Sequence, residues 1–230
     1  MINRCWQNKK IIFFDLDGTL TDPGIGITNS VMYALERYGI DVKDRSELYR
    51  FIGPPLSESF ERFYGFTKED AVQAVEVYRE YFSVKGLYEN EVFQGIEDLL
   101  KNLKAQGKMI CLATSKPETF AIKILEHFNL IQYFDYISGS MLNGERTNKA
   151  EVIEWLFKCF DLDDIVWEKE DIVMIGDREH DVKGAHKNNI SVIGVLFGYG
   201  SEEELTAAGA DDLACSVEKL HEMLVGEVDE

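Results

Sequence analysis

The twelve residues from Ile11 to Asp22, IIFFDLDGTLTD, constrain this chain more than any other stretch. Four apolar residues run straight into Asp15, Leu16, Asp17, Gly18 and Thr19, so a buried strand is expected to end in two acids. Period-2 alternation keeps Asp15 and Asp17 on one side, and a tight turn at the strand end preserves that shared direction. Two carboxylates held close repel each other unless a cation or a shared proton lies between them. Gly18 lets the backbone turn sharply, with N–H groups that can face an anion. Paired acids and an amide-rich turn at a strand end suit Mg²⁺ together with a phosphate group. A plain Asx turn built on Asp17 would use the same residues.

With 230 residues and 45% hydrophobic content, the chain can bury a full core, as one large domain or a domain with an insert. Its 24 Lys and Arg against 42 Asp and Glu leave a formal net charge of −18. That balance argues against nucleic acid and against an anionic membrane surface, both of which require a basic face. A small anionic substrate remains compatible, because a cation and a few basic side chains reverse the field in one cleft. Cys5, Cys111, Cys159 and Cys215 are scattered without zinc or redox spacing, and Cys111 lies in an apolar run as a small hydrophobe. The amino-terminal MINRCWQNKK has no apolar leader core, and no run approaches the roughly 18 apolar residues of a membrane span. A soluble cytoplasmic protein is expected, with the acidic ending EVDE as a solvated tail.

Short apolar runs at 11–14, 109–113, 133–138, 172–175, 191–195 and 212–215 predict strands. Helical patterns cover 96–106, 118–128, 149–160, 182–188 and 217–224, with Gln106-Gly107 and Asn188-Asn189 as stop signals. Such alternation predicts an α/β fold, a doubly wound parallel sheet whose ligands bind at the carboxyl ends of the strands. The stretch 25–88 breaks the pattern and is helical throughout. Ile27, Val31, Ala34, Leu35 and Tyr38 recur at helical spacing, as do Ala71, Val72, Val75, Tyr78 and Phe82. A small all-helical cap domain over 23–89, inserted after the first strand, is therefore expected, with 1–22 and 90–230 forming the core.

Three further segments fall at predicted strand ends. MICLATSKP brings Thr114 and Ser115 to a carboxyl end, with Pro117 favouring a helix start. Hydroxyls and free amides there can bind phosphate, and the same residues also serve as ordinary caps. GERTNKA places Lys149 at a helix start, where its cation opposes the helix dipole. IVMIGDREHD runs an apolar strand into Gly176 and Asp177, with Asp181 four residues on. A third carboxylate at a strand end can meet the first two around one hard cation.

Taken together, these four segments resemble the haloacid dehalogenase superfamily over nearly the whole chain. The first motif matches Asp15 to Thr19, the second Thr114, the third Lys149, and the fourth Gly176, Asp177 and Asp181. FIGPPL, ATSKP, RTNKAEVI and GDREHDVKGA are similar to the family's phosphoglycolate phosphatase branch, whose close relatives include 5′-nucleotidases. The resemblance implies a Rossmann-like core and a Mg²⁺-dependent phosphatase for a small phosphomonoester. Asp15 would be the nucleophile and Asp17 the general acid and base. Mg²⁺ would be held by Asp15, the Asp17 carbonyl and Asp177. Thr114, Lys149 and amides near Leu16, Gly18 and Ser115 would bind the phosphoryl oxygens, with Asp181 orienting Lys149 or a metal-bound water. A sugar phosphomutase carries the same motifs and stays an alternative. Specificity is expected from the cap, with Gly53, Pro54 and Pro55 either facing substrate or joining two helices. Arg50, Arg62 and Arg146 are candidate carboxylate clamps or ordinary surface residues. Phosphoglycolate-sized substrates are ranked above nucleotides.

Overall fold

The computed structural model describes residues 5–226, so the first four residues and the EVDE ending lie outside the described residues. In chain order the elements are β1 (Ile11–Phe14), β2 (Thr21–Asp22), α1 (Gly24–Arg37), α2 (Leu56–Tyr64), α3 (Lys68–Tyr81) and β3 (Glu91–Val92). They continue with α4 (Ile96–Ala105), β4 (Met109–Pro117), α5 (Glu118–His127), β5 (Tyr136–Ser140), α6 (Lys149–Leu162) and β6 (Ile172–Gly176). The last are α7 (Glu179–Lys187), β7 (Ser191–Val195), α8 (Glu202–Ala208), β8 (Asp212–Ala214) and α9 (Val217–Val225).

Six strands form one parallel sheet in the order β5-β4-β1-β6-β7-β8. β1 is central because its four side chains are buried on both faces, Ile12 and Phe14 in one apolar cluster, Ile11 and Phe13 in the other. From β1 the chain winds first toward β4 and β5, then returns to β6 on the opposite side. The carboxyl end of β1 is thus the switch point, where neighbouring connections diverge and leave a crevice.

β2 and β3 pair antiparallel, Thr21 with Val92 and Asp22 with Glu91, and bracket the helical insertion. That insertion comprises α1, a 3-10 segment (Arg45–Phe51), α2, α3 and a single π-helical turn (Phe82–Gly86). Gly26 of α1 is packed so tightly against this turn that a Cβ there would lie 2.0 Å from the Gly86 carbonyl oxygen. The close crossing needs glycine.

Several sequence expectations shift. The strand expected at 133–138 begins at Tyr136, because 131–133 form a 3-10 turn that ends before Phe134. The helix expected from Val182 starts at Glu179, where Asp181 Oδ2 accepts from the Arg178 N–H and the Asp181 N–H donates to Arg178 O. Helix α8 was not visible in the pattern, since Leu205 is its single buried residue. Val72, expected in the helical core, is 59% exposed. Gly107 and Asn189 do take left-handed backbones beyond their helices.

Candidate active site

The ladder from β1 to β6 continues one residue past the strand, with the Asp15 N–H donating to Ile175 O at 2.9 Å. The Leu16 N–H folds back onto Asp15 Oδ1 at 2.7 Å, and the Gly18 N–H donates to Thr21 O at 2.8 Å. Both amides, expected from the sequence near a phosphate, have partners within the turn in this structure. The turn satisfies its own donors because it must reverse within a few residues. Gly18 sits at φ +80°, and a Cβ on it would fall 2.1 Å from Asp177 Oδ2. Only glycine lets the two acidic loops approach this closely.

Strand β4 carries the hydroxyls. Its pairing with β5 shifts register between Ala113 and Pro117, and Thr114, Ser115 and Lys116 occupy the irregularity. Pro117 ends the strand and flanks α5 as its cap instead of lying in the first turn. Thr114 is buried, and its hydroxyl accepts from the Lys116 N–H at 3.2 Å.

Lys149 opens α6 and is 3% exposed. Its ammonium lies 2.9 Å from Asp15 Oδ1 and 2.7 Å from Asp181 Oδ1, and donates to Ala113 O at 2.7 Å. Burial pulls this ammonium down, yet Asp15 and Asp181 outweigh it and hold it above the usual lysine range. Placing a lysine at a helix start is unfavourable to the dipole, and the two carboxylates make it tenable. Asp177 is fully buried, accepts from the Tyr199 N–H at 2.8 Å through Oδ2, and leaves Oδ1 without a partner. Burial, then Asp181 and Asp15, push its carboxyl well above the carboxylate range, while burial lifts Asp181 to about 6 against the pull of Lys149.

Lys116 and Tyr199 are the residues that sequence reasoning missed. The Lys116 ammonium donates to both oxygens of Asp17, at 2.8 and 2.6 Å, with both residues 8% exposed. Burial raises the Asp17 carboxyl, and Lys116 offsets part of that rise. A lysine directly after a hydroxyl pair at a strand end was a signal present in ATSKP. Nothing local marks Tyr199.

Asp15, Asp177 and Asp181 each bring a carboxylate oxygen within 4.8 Å of the others. The Asp17 carboxylate points instead toward Lys116. Asp181 Oδ2 accepts from the Arg178 N–H, and Oδ1 forms an ion pair with Lys149 at 2.7 Å. Four buried carboxylates thus face two buried ammonium groups, those of Lys116 and Lys149. The next cation, Arg178, is paired with Glu204 at 2.8 Å. The crowding of carboxylates, the orphaned Asp177 Oδ1 and an all-oxygen donor set fit one hard divalent cation.

A profile of haloacid dehalogenase-like hydrolases matches residues 12–195. The chain belongs to that family. A Pseudomonas aeruginosa protein named 5′-nucleotidase is 51% identical over 85% of this chain and 86% of its own length. The crystal structure of a predicted phosphatase from Clostridium acetobutylicum superposes with a TM-score of 0.89 at 48% identity, covering 93% of this chain and 97% of that one. A Mycobacterium tuberculosis protein named tyrosine-protein kinase PtkA is 35% identical over 95% of this chain and 73% of its own length. A phosphoglycolate phosphatase of Vibrio parahaemolyticus is more distant, at 23% identity over 95% of this chain and 97% of that protein. The chain is a phosphatase of the family, with the family's parallel α/β core.

In this haloacid dehalogenase-like phosphatase a cavity of about 490 Å³ opens over the acids. Asp15, Asp17, Thr114, Ser115 and Lys116 line it from the sheet, and Gly53, Pro54 and Pro55 line it from the insertion. Its apolar walls come from Val72, Val75 and Phe82 on one side and Met141 and Leu142 on the other. The exposed Val72 and Leu142 are therefore cavity residues rather than failed core. The three arginines considered as clamps do not line it. Arg50 and Arg62 lie over the Phe63 ring, and Arg146 lies over Trp155 and pairs with Glu118 at 3.2 Å. Among the described residues no helix is long and apolar enough to cross a membrane.

Proposed function

We propose that this phosphatase hydrolyses nucleoside 5′-monophosphates, with the helical insertion over 23–89 acting as a cap on the 1–22 and 90–230 core. The cavity carries the reading. Its volume of about 490 Å³ and apolar walls suit a base and ribose, and exceed what a two-carbon glycolate fills. Its basic lining residues each have a carboxylate partner, Lys116 with Asp17 and Arg79 with Glu76, both at 2.6 Å. The name carried by the Pseudomonas aeruginosa relative supports the same choice. This reverses the ranking expected from the sequence, which put small substrates first.

In the mechanism that follows, Asp15 is the nucleophile. The Leu16 N–H and Lys149 both hold its Oδ1, fixing the carboxylate so that Oδ2 attacks phosphorus. The new Asp15–phosphorus bond forms as the bond to the leaving oxygen breaks, and Asp17 gives that oxygen its proton. Asp17 then takes a proton from water, whose oxygen attacks phosphorus and releases phosphate and free Asp15. Thr114 and Lys149 bind the transferring oxygens, with the Ser115 amide as a further donor. Asp15, the Asp17 carbonyl and Asp177 would hold Mg²⁺, which neutralises charge between carboxylate and phosphate when bound. Asp181 keeps Lys149 in place. The four unpaired cysteines fit a reducing, cytoplasmic setting.

A phosphate-release screen with Mg²⁺ tests this reading. Nucleoside monophosphates should exceed phosphoglycolate by at least about tenfold in kcat/KM, and a phosphosugar should yield free phosphate and no isomer. Leu142→Ser should cost nucleotides about tenfold in kcat/KM and leave p-nitrophenyl phosphate nearly unchanged. Phosphoglycolate dominating the screen would overturn the nucleotide assignment and return the small-substrate ranking.

A further inference from the structure

The geometry points to Lys116 as the positioning residue for Asp17, and to Phe82 as the contact that ties this position to the docked helical insertion. The inference rests on the reading of Asp17 as proton donor and acceptor. Lys116 reaches both Asp17 oxygens from the β4 irregularity, 99 residues away in the chain. A carboxylate gripped at both oxygens by one buried ammonium has a single orientation. The paired state is the carboxylate, the form Asp17 takes after giving its proton to the leaving oxygen and before taking one from water. Lys116 therefore stabilises the product of the first proton transfer and aims Asp17 for the second.

The ammonium does not rest on core groups alone. It lies 4.8 Å from the centre of the Phe82 ring, within the range of a cation–π contact. Phe82 opens the π-helical turn of the insertion, stacks on Tyr78 at 5.2 Å, and meets Phe120 of α5 edge-on at 5.6 Å. The ring is thus shared between the insertion and the core, directly behind the Lys116–Asp17 pair. Withdrawal of the insertion would remove one face of the lysine's site and loosen Asp17. Proton transfer is then available only with the insertion docked and water excluded from the cavity.

The test compares leaving groups. Nitrophenolate departs without a proton, whereas the ribose oxygen of a nucleotide needs one. Lys116→Met should lower kcat/KM for a nucleoside monophosphate by about 10²-fold or more and for p-nitrophenyl phosphate by less than about tenfold. Lys116→Arg should recover most of that loss. Phe82→Leu, a cavity-wall change, should show the same selectivity at smaller size between phenyl and p-nitrophenyl phosphate, which are similar in bulk and differ in the basicity of the leaving oxygen. Asp17→Asn is the reference and should show the selective loss in full. If Asp17→Asn affects both substrates equally, its acid role fails and the Lys116 inference with it. If Asp17→Asn is selective while Lys116→Met lowers both substrates equally, or neither, the Lys116 inference alone is overturned. Should Lys116→Met not fold, Phe82→Leu leaves the ion pair intact and carries the same comparison. Equal losses in that variant overturn the coupling to the insertion.

Discussion

Asp15→Asn should lower kcat by roughly 10⁴-fold or more, the scale seen when a covalent nucleophile is removed. Asn matches Asp in shape, so it can still accept from the Leu16 N–H and sits in the same buried position. It cannot form a bond to phosphorus that water later breaks. The substitution also removes one of four clustered carboxylates, so the thermal midpoint in metal-free buffer should hold or rise. Phosphate release and a melting curve on one preparation check both statements. Asp17→Asn adds a positive control, since it should retain the nucleophile but lack the base. With p-nitrophenyl phosphate it should give a burst of nitrophenolate and a protein heavier by one phosphoryl group at Asp15. Wild-type turnover by Asp15→Asn would move the nucleophile elsewhere.

Removal of divalent metal should abolish turnover, and Mg²⁺ should restore it while Ca²⁺ does so poorly. Ca²⁺ takes longer bonds and more ligands than this compact cluster offers. The physical basis is the crowding of four buried carboxyl groups against two buried ammonium groups. A cation that binds the folded chain alone stabilises it by about 2.7 kcal/mol at a hundredfold excess over Kd. Mg²⁺ should therefore raise the thermal midpoint independently of any substrate. Asp177→Asn should shrink that rise, because Asp177 Oδ1 is a buried carboxylate oxygen with neither a hydrogen bond nor an ion pair from the protein. Full activity after verified metal removal, together with no thermal response to Mg²⁺, would sink the metal assignment.

What the sequence by itself determined is what short-range physics governs. The run IIFF, apolar at every position and followed at once by turn residues, reads as a strand covered on both faces, and it lies within the sheet between β4 and β6. Asp15, Thr114, Lys149 and Asp177 could be assigned to strand ends or a helix start because apolar runs and turn residues mark those ends locally. The parallel sheet follows from alternation, and the tertiary structure brings the four segments to one edge. Boundaries slipped where local signals compete, as at Tyr136 and Glu179, and α8 was missed because one buried leucine leaves no periodicity.

Only the tertiary structure decided which charges meet. The pairs Lys116–Asp17 and Lys149–Asp15 join residues about a hundred or more positions apart, and no spacing rule relates them. The same holds for the cavity. Val72 satisfies a helical period as well as a core residue does, and Leu142 lies in a loop, yet packing of the insertion over β4 and β5 sets both at one opening. Periodicity reports which face of an element is apolar. It does not report what that face will meet, and here the difference separates a buried core from a place for substrate.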